Sequence, residues 1–272
     1  LDWQNKPPQF KRYNGLGTVP LPTQEELFEK DLAALYRSHK GDTGARSGLA
    51  GISSALAFSC AVTAKIPQPG MDHFLRSSPS AGALYPNELY MLQLAESDGI
   101  QAGIYHYGMD HGGVVPLRLG SPSYDISKAF LDTPMGGTGT VFIITGVFFK
   151  SAWKYRNRAY RYVLLDAGHL LENMLLALRA AGVDATLRLH FRDEDLDALL
   201  CLDPDREVCL AGIFAGGTGP DSPKEPENTP VPSGSVVSAG EKHYADIFSI
   251  HRAGAGIISP ELPPDSMHRH LG

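Results

Sequence analysis

Cysteine is scarce in this 272-residue chain: Cys60, Cys201 and Cys209 are an odd number, each set in an apolar stretch (AFSCAV, LLCL, EVCLAG). They offer no disulfide framework and read as buried free thiols of a reducing compartment, which makes the cytoplasm the expected location. Long apolar runs are missing as well. The most apolar stretch, residues 141–149, contains Thr145 and Gly146 and falls far short of the roughly 20 residues needed to span a bilayer. Basic residues are outnumbered, 24 against 30 acidic, for a net charge of −6. With no basic stripe, the chain lacks the clustered Lys and Arg from which a nucleic-acid backbone is gripped. Several catalytic signatures are absent too. The ten histidines form no HExxH and the cysteines no CxxC, so no metal site is expected. No GxSxG elbow supports a serine hydrolase. The glycine-rich residues 212–219 lack the Lys-Ser/Thr ending of a phosphate loop, and residues 136–139 precede a strand instead of following one, so no dinucleotide fingerprint is present.

What is there is an ordinary globular composition, 43% hydrophobic and 20% charged, with core enough for one large domain or two small ones. Residues 1–23 are punctuated by Pro and Gly and read as an extended N-terminal arm, opening without Met as a trimmed chain does. Residues 24–219 carry the alternating element signals of one domain. Residues 220–239 have the Pro/Ser-rich composition of a linker. In the tail, 240–272, one apolar patch at 244–250 cannot make its own core, so it is expected to wrap a partner subunit or to open a second half beyond this chain. Within the domain, a helix is expected to end near Tyr36, and a second one buries Leu49, Ile52, Leu56 and Phe58. Strands are expected at 89–95, 103–107, 114–119, 141–149, 185–190 and 207–215, with Asp110-His111-Gly112-Gly113 as a hairpin turn. Residues 158–181 are apolar around most of a helical circumference and stop at Gly182, the pattern of a long buried helix with a left-handed glycine cap. A short acidic helix follows at 193–200.

Four groupings carry chemistry. Arg37, Ser38 and Lys40 put two cations and a hydroxyl directly after a helix, able either to hold a phosphate or to serve as a solvated basic loop; Arg46-Ser47 repeats the pattern nearby. Pro79-Ser80-Ala81-Gly82 is a run of small residues that lets a flat or anionic ligand approach the backbone, or packs as a plain turn. Trp153-Lys154-Tyr155 is expected in the connection after the 141–149 strand, where a rigid scaffold presents catalytic groups. Lys154 and Tyr155 can serve there as proton acceptors, or as an exposed lysine beside a packed ring. Asp166 and His169 share one helix face at a spacing that permits a carboxylate–imidazole bond, although a packed core or interface histidine is the better expectation.

Two segments, SPSAGALYPNELY at 78–90 followed by GIYHY at 103–107, and SAWKYRNRAYRYVLLDAGHLLEN at 151–173, resemble the SagB/ThcOx-type dehydrogenases of the nitroreductase family. The likeness runs from about residue 31 to 216. It implies an α+β, nitroreductase-like fold with a central, mainly antiparallel sheet flanked by helices. It also implies a homodimer or tandem pseudo-dimer, FMN bound where two such units meet, and oxidation of thiazolines, oxazolines or similar small or peptide-borne substrates by hydride transfer to the flavin. An NAD(P)H-dependent nitro- or quinone-reductase and a flavin-poor structural half are the alternatives. On this resemblance Arg37, Ser38 and Lys40 match the phosphate motif, Pro79, Ser80, Ala81 and Gly82 the loop beside the flavin ring, and Lys154 and Tyr155 the catalytic pair. The chain departs from the family at Leu189-His190, where a Gly-Gly pair is usual, at Gly216-Gly217, where an arginine often stands, and at Tyr36, which takes the place of the phosphate motif's leading arginine.

Overall fold

A computed structural model describes residues 1–22, 31–37, 48–67, 72–130, 138–216, 231–232, 234, 237–238 and 240–255. In chain order its elements are β1 (Val19–Pro20), α1 (Leu32–Arg37), α2 (Leu49–Cys60), β2 (Val62–Ile66), β3 (His73–Arg76), β4 (Asn87–Gln93), β5 (Gly103–Gly108), β6 (Gly113–Leu119), α3 (Ser123–Ala129), β7 (Thr140–Val147), α4 (Phe148–Tyr155), α5 (Ala159–Ala180), β8 (Ala185–Arg188), α6 (Asp193–Leu200), β9 (Glu207–Ala215) and α7 (Ala245–Gly254). The described strands form a seven-stranded sheet in the order β1-β6-β5-β4-β7-β9-β8, each neighbouring pair antiparallel, while β2 and β3 pair separately. This is the expected α+β architecture.

Helices cover both faces of the central strands. Along β4, Leu89 and Met91 point to a core shared with Leu56 of α2 and Leu170 and Met174 of α5. The alternate residues, Tyr90 and Leu92, meet Ile126 of α3 and Leu196 of α6. A strand buried on both sides needs no polar alternation, which is why the middles of β4, at 89–92, and β7, at 141–144, are unbroken apolar runs. α5 ends as its sequence implies: Gly182 takes φ +75°, its N–H donates to Arg179 O at 3.0 Å, and Val183 N–H donates to Leu178 O at 2.9 Å, the paired bonds of a Schellman cap.

Several expectations need correction. The strand assigned to 141–149 ends at Val147. Phe148 and Phe149 instead open α4, because the apolar residues 148, 149, 152 and 153 recur at helical spacing and are buried there. Strand β8 likewise stops at Arg188, leaving Leu189 and His190 exposed. Phe58 is exposed, since it lies half a turn from the inward-facing Leu56 and Cys60 on α2. Cys201 is also exposed, at the left-handed C-cap of α6. The apolar patch of the tail finds its core within this chain: Ile247 and Phe248 of α7 are buried with Phe148, Ala152, Ala159, Val163 and Val208. Ser38, Lys40, Arg46, Ser47 and most of 220–239 lie outside the described residues.

The N-terminal arm is tied into the interior by polar bonds. Lys11 Nζ lies 2.6 Å from Glu207 Oε2 and 2.6 Å from Tyr90 Oη, and Glu207 Oε1 also accepts from Thr145 Oγ1 at 2.6 Å. Beside this group, Glu88 of β4 pairs with Lys150 of α4 and meets His106 Nε2 of β5 at 3.0 Å. Burial alone would push the Glu88 carboxyl up, but Lys150, His106 and Arg76 together hold it well below the usual carboxylate range.

Asp197 on α6 is the opposite case. Burial pushes its carboxyl up to about 7, against the opposing pull of the Cys209 thiol and main-chain N–H. A carboxyl whose folded-state pKa is raised stabilises the fold fully below its unfolded value, and that stability is lost as pH rises from about 4 through about 7. Denaturant unfolding is therefore expected to show a decline over this window worth up to about 4 kcal/mol, and Asp197→Asn should flatten it. An unchanged profile in the variant would contradict the assignment.

Candidate active site

The segment joining β3 to β4 is short of side chains and rich in constraint. Within it Gly82, Ala83 and Tyr85 have φ of +66°, +51° and +50°, a left-handed region that residues bearing a Cβ rarely adopt. Such backbone persists only where its surroundings over-determine it, and here they do. Ser80 Oγ donates to Asp166 Oδ2 at 2.6 Å and accepts from Tyr85 N–H at 2.8 Å; Ala81 N–H donates to Asp166 Oδ1 at 3.1 Å. From the N-terminal arm, Gln9 Nε2 donates to Ala83 O at 3.0 Å and to Phe74 O at 3.1 Å. From below, Arg76 N–H donates to Tyr85 Oη at 3.0 Å, and the Arg76 guanidinium lies over the Tyr85 ring.

Asp166 is thus the anchor of this loop and not the partner of His169, which is exposed on α5. Burial raises the Asp166 carboxyl, while the bonds from Ser80 and Ala81 and the charge of His169 pull it down. Because Asp166 takes both the Ser80 hydroxyl and the Ala81 N–H, the loop faces outward as a surface of small atoms, not as a set of free donors. Pro79 and Gly82 are its exposed members.

The catalytic pair expected from the sequence arrives at this same surface from a different element. Lys154 and Tyr155 occupy the last turn of α4, and the Lys154 Nζ lies 5.2 Å from the Tyr155 ring centroid. A Cβ placed on Gly82 would stand 2.6 Å from Tyr155 Oη and 2.9 Å from Lys154 Nζ. A side chain at this position would combine a strained backbone with displacement of both polar tips, so glycine is what lets them stand here. The Tyr155 ring is braced by Tyr162 of α5, with centroids 4.6 Å apart.

Arg37 is placed separately. It ends α1, is exposed, and its Nε donates to Ala33 O at 3.0 Å. α1 is held on α5 through Tyr36 Oη, which donates to Glu172 Oε1 at 2.8 Å. Glu172 and Asp166 are six residues apart, about 9 Å along a helix axis, so α5 carries both the loop and the helix that ends at Arg37. The groups that could hold a flat anionic cofactor are the small residues at 79–82, the Lys154 and Tyr155 tips that stand over Gly82, and Arg37, which ends a helix packed on the same α5. Asp166 and Gln9 were not identifiable as fasteners of this loop from their own sequence surroundings, since Gln9 reaches Ala83 across 74 residues and Asp166 reaches Ala81 across 85.

The nitroreductase family profile matches residues 52–217, and the chain belongs to that family. Among its relatives, the trifolitoxin-processing protein TfxB of Rhizobium leguminosarum bv. trifolii is 31% identical over 147 residues, covering 52% of this chain and 39% of TfxB. The microcin B17-processing protein McbC of Escherichia coli is 28% identical over 160 residues, covering 57% and 58%. Among solved structures, a protein of Anabaena variabilis described as a nitroreductase superposes with a TM-score of 0.69 at 25% identity, over 96% of this chain and 51% of the other. The E. coli microcin synthetase McbBCD complex with truncated pro-MccB17 bound gives 0.55 at 21%, over 76% and 80%. This chain therefore spans well under two thirds of TfxB, of McbC and of the Anabaena protein. Among the described residues no helix is long and apolar enough to cross a membrane.

Proposed function

We propose that this protein is an FMN-dependent oxidoreductase of the SagB type that oxidises thiazoline or oxazoline rings, carried on a peptide, to the aromatic azoles. The observation that carries the proposal is the meeting of Lys154 Nζ and Tyr155 Oη over Gly82, on a floor locked by Asp166. The processing roles in the names of TfxB and McbC support the substrate class.

In this reading Pro79, Ser80, Ala81 and Gly82 support the flavin ring by shape, and Arg37, with Ser38 and Lys40, holds its phosphate. FMN, when bound, supplies the acceptor for a hydride. The azoline ring gives up one hydrogen with its electron pair and a second as a proton, so that a ring double bond forms. Lys154 or Tyr155 takes that proton, and positioning a base within about 3 Å of it is the chain's chief contribution. Leu164 and Leu165 of α5, 40% and 60% exposed, are the face through which a second copy or a tandem half completes the site. The test is a comparison of initial rates. Azoline-bearing peptide is expected to lose two hydrogens by mass in a flavin-dependent reaction. Turnover of nitro compounds or quinones with NAD(P)H, without azoline oxidation, would replace this reading by the reductase one.

A further inference from the structure

Two cavities border α4, and the nearer is lined in part by Lys154. The nearer, about 220 Å³, is walled by Phe149, Trp153 and Tyr244 and ringed by Lys154, Arg156 and Lys242, with Asp2 the acidic member of its lining. The larger, about 440 Å³, shares Phe149, Lys242 and Tyr244 with it and runs on past Phe248. Among the described residues Arg206 of the larger cavity is paired with Glu241, and Asp205 with Arg252. Among the described residues none of Lys154, Arg156 and Lys242 is in an ion pair. Even with Lys154 uncharged as a proton acceptor, Arg156 and Lys242 against Asp2 leave a net positive, aromatic-walled recess beside Lys154. Aromatic walls take apolar side chains, and a concave site with low-dielectric walls concentrates charge of the opposite sign.

We infer that this recess is a substrate subsite that seats a carboxylate-bearing, apolar peptide segment next to the reacting ring, with Lys242 and Arg156 as its specificity-determining residues. The inference rests on the proposed peptide substrate for what the segment belongs to, but its binding is measured without turnover. The chain has two tryptophans; Trp153 lines the nearer cavity and Trp3 packs edge to face on it at 5.3 Å, so tryptophan fluorescence reports on this wall. The full protein is titrated with three pentapeptides: two blocked at both ends, with Asp-Phe or Asn-Phe at the centre, and the Asn-Phe peptide blocked only at its N-terminus and carrying a free C-terminal carboxylate. The expected result is a saturable fluorescence change with at least tenfold tighter binding of a carboxylate-bearing peptide than of the neutral one, weakening as salt is raised. A side-chain or a terminal carboxylate is identified as the ligand by which of the two binds. Lys242→Glu, at an exposed position, and Arg156→Gln should each bring acidic and neutral peptides to within about twofold. Equal binding of all three peptides, or an acidic preference that survives both substitutions, would overturn the assignment. Azoline oxidation that proceeds without any acidic preference sinks the subsite alone; selective binding without oxidation sinks the proposed reaction alone.

Discussion

Azoline oxidation is expected to fall about 10³-fold when Lys154→Ala and Tyr155→Phe are combined, within the range that removal of a positioned base produces. Both tips stand over Gly82 within contact distance of a would-be Cβ, so neither can be moved away without opening the site. Lys154 is exposed, and Tyr155→Phe keeps the ring that packs on Tyr162. The loss should therefore appear in turnover, with the thermal midpoint moving little. The single variants separate the roles: the one that matches the double variant names the base, because groups that act as a unit are not additive. Undiminished oxidation by the double variant would remove both residues from the chemistry.

The second large effect concerns stability. Glu88 is buried on β4 with Lys150 as its ion partner and His106 at 3.0 Å. Removing one member of such a pair leaves a desolvated charge without compensation and typically costs 3–5 kcal/mol. Glu88→Gln should accordingly cost about 4 kcal/mol in denaturant unfolding, lowering the thermal midpoint by about 10 °C for a domain of this size. Replacing the pair together, Glu88→Leu with Lys150→Met, should recover most of that loss, since an apolar pair of similar volume carries no desolvation penalty. The Glu88 carboxyl is held below its ordinary range. Its contribution is thus present above the unfolded carboxylate value and is lost as pH falls through the folded one, the reverse of Asp197. A double variant no more stable than Glu88→Gln would mean that the pair is not the source of the effect.

Much of this architecture is legible in the amino-acid order. β4 and β7 announce themselves by apolar stretches at 89–92 and 141–144, α5 by its length and the glycine at 182, and the two site segments by small residues at 79–82 and a Lys-Tyr pair at 154–155. The misreadings have local causes. Residues 148 and 149 extend an apolar run without revealing that its period has changed from strand to helix. Cys201 and Phe58 sit in apolar stretches, yet a C-cap and the outer face of a helix turn them to the surface. What the sequence hides is long-range pairing. Asp166 has His169 at a plausible helical spacing and instead binds a loop 85 residues away. Gln9, in an arm with no periodicity, fastens the same loop. Lys150 and Glu88 lie in runs whose apolar neighbours conceal an internal ion pair.

The floor at 79–82 as a flavin platform is the claim on which the catalytic account depends, and reconstitution with FMN tests it most directly. Protein equilibrated with FMN and freed of excess is expected to show a protein-bound flavin absorbance spectrum that is bleached by azoline peptide in the absence of oxygen, while Asp166→Ala, which releases Ser80 and Ala81, retains at most a tenth of the flavin at the same concentration. Protein that stays colourless at saturating FMN, or an Asp166→Ala variant that binds flavin as well as the parent, would contradict it.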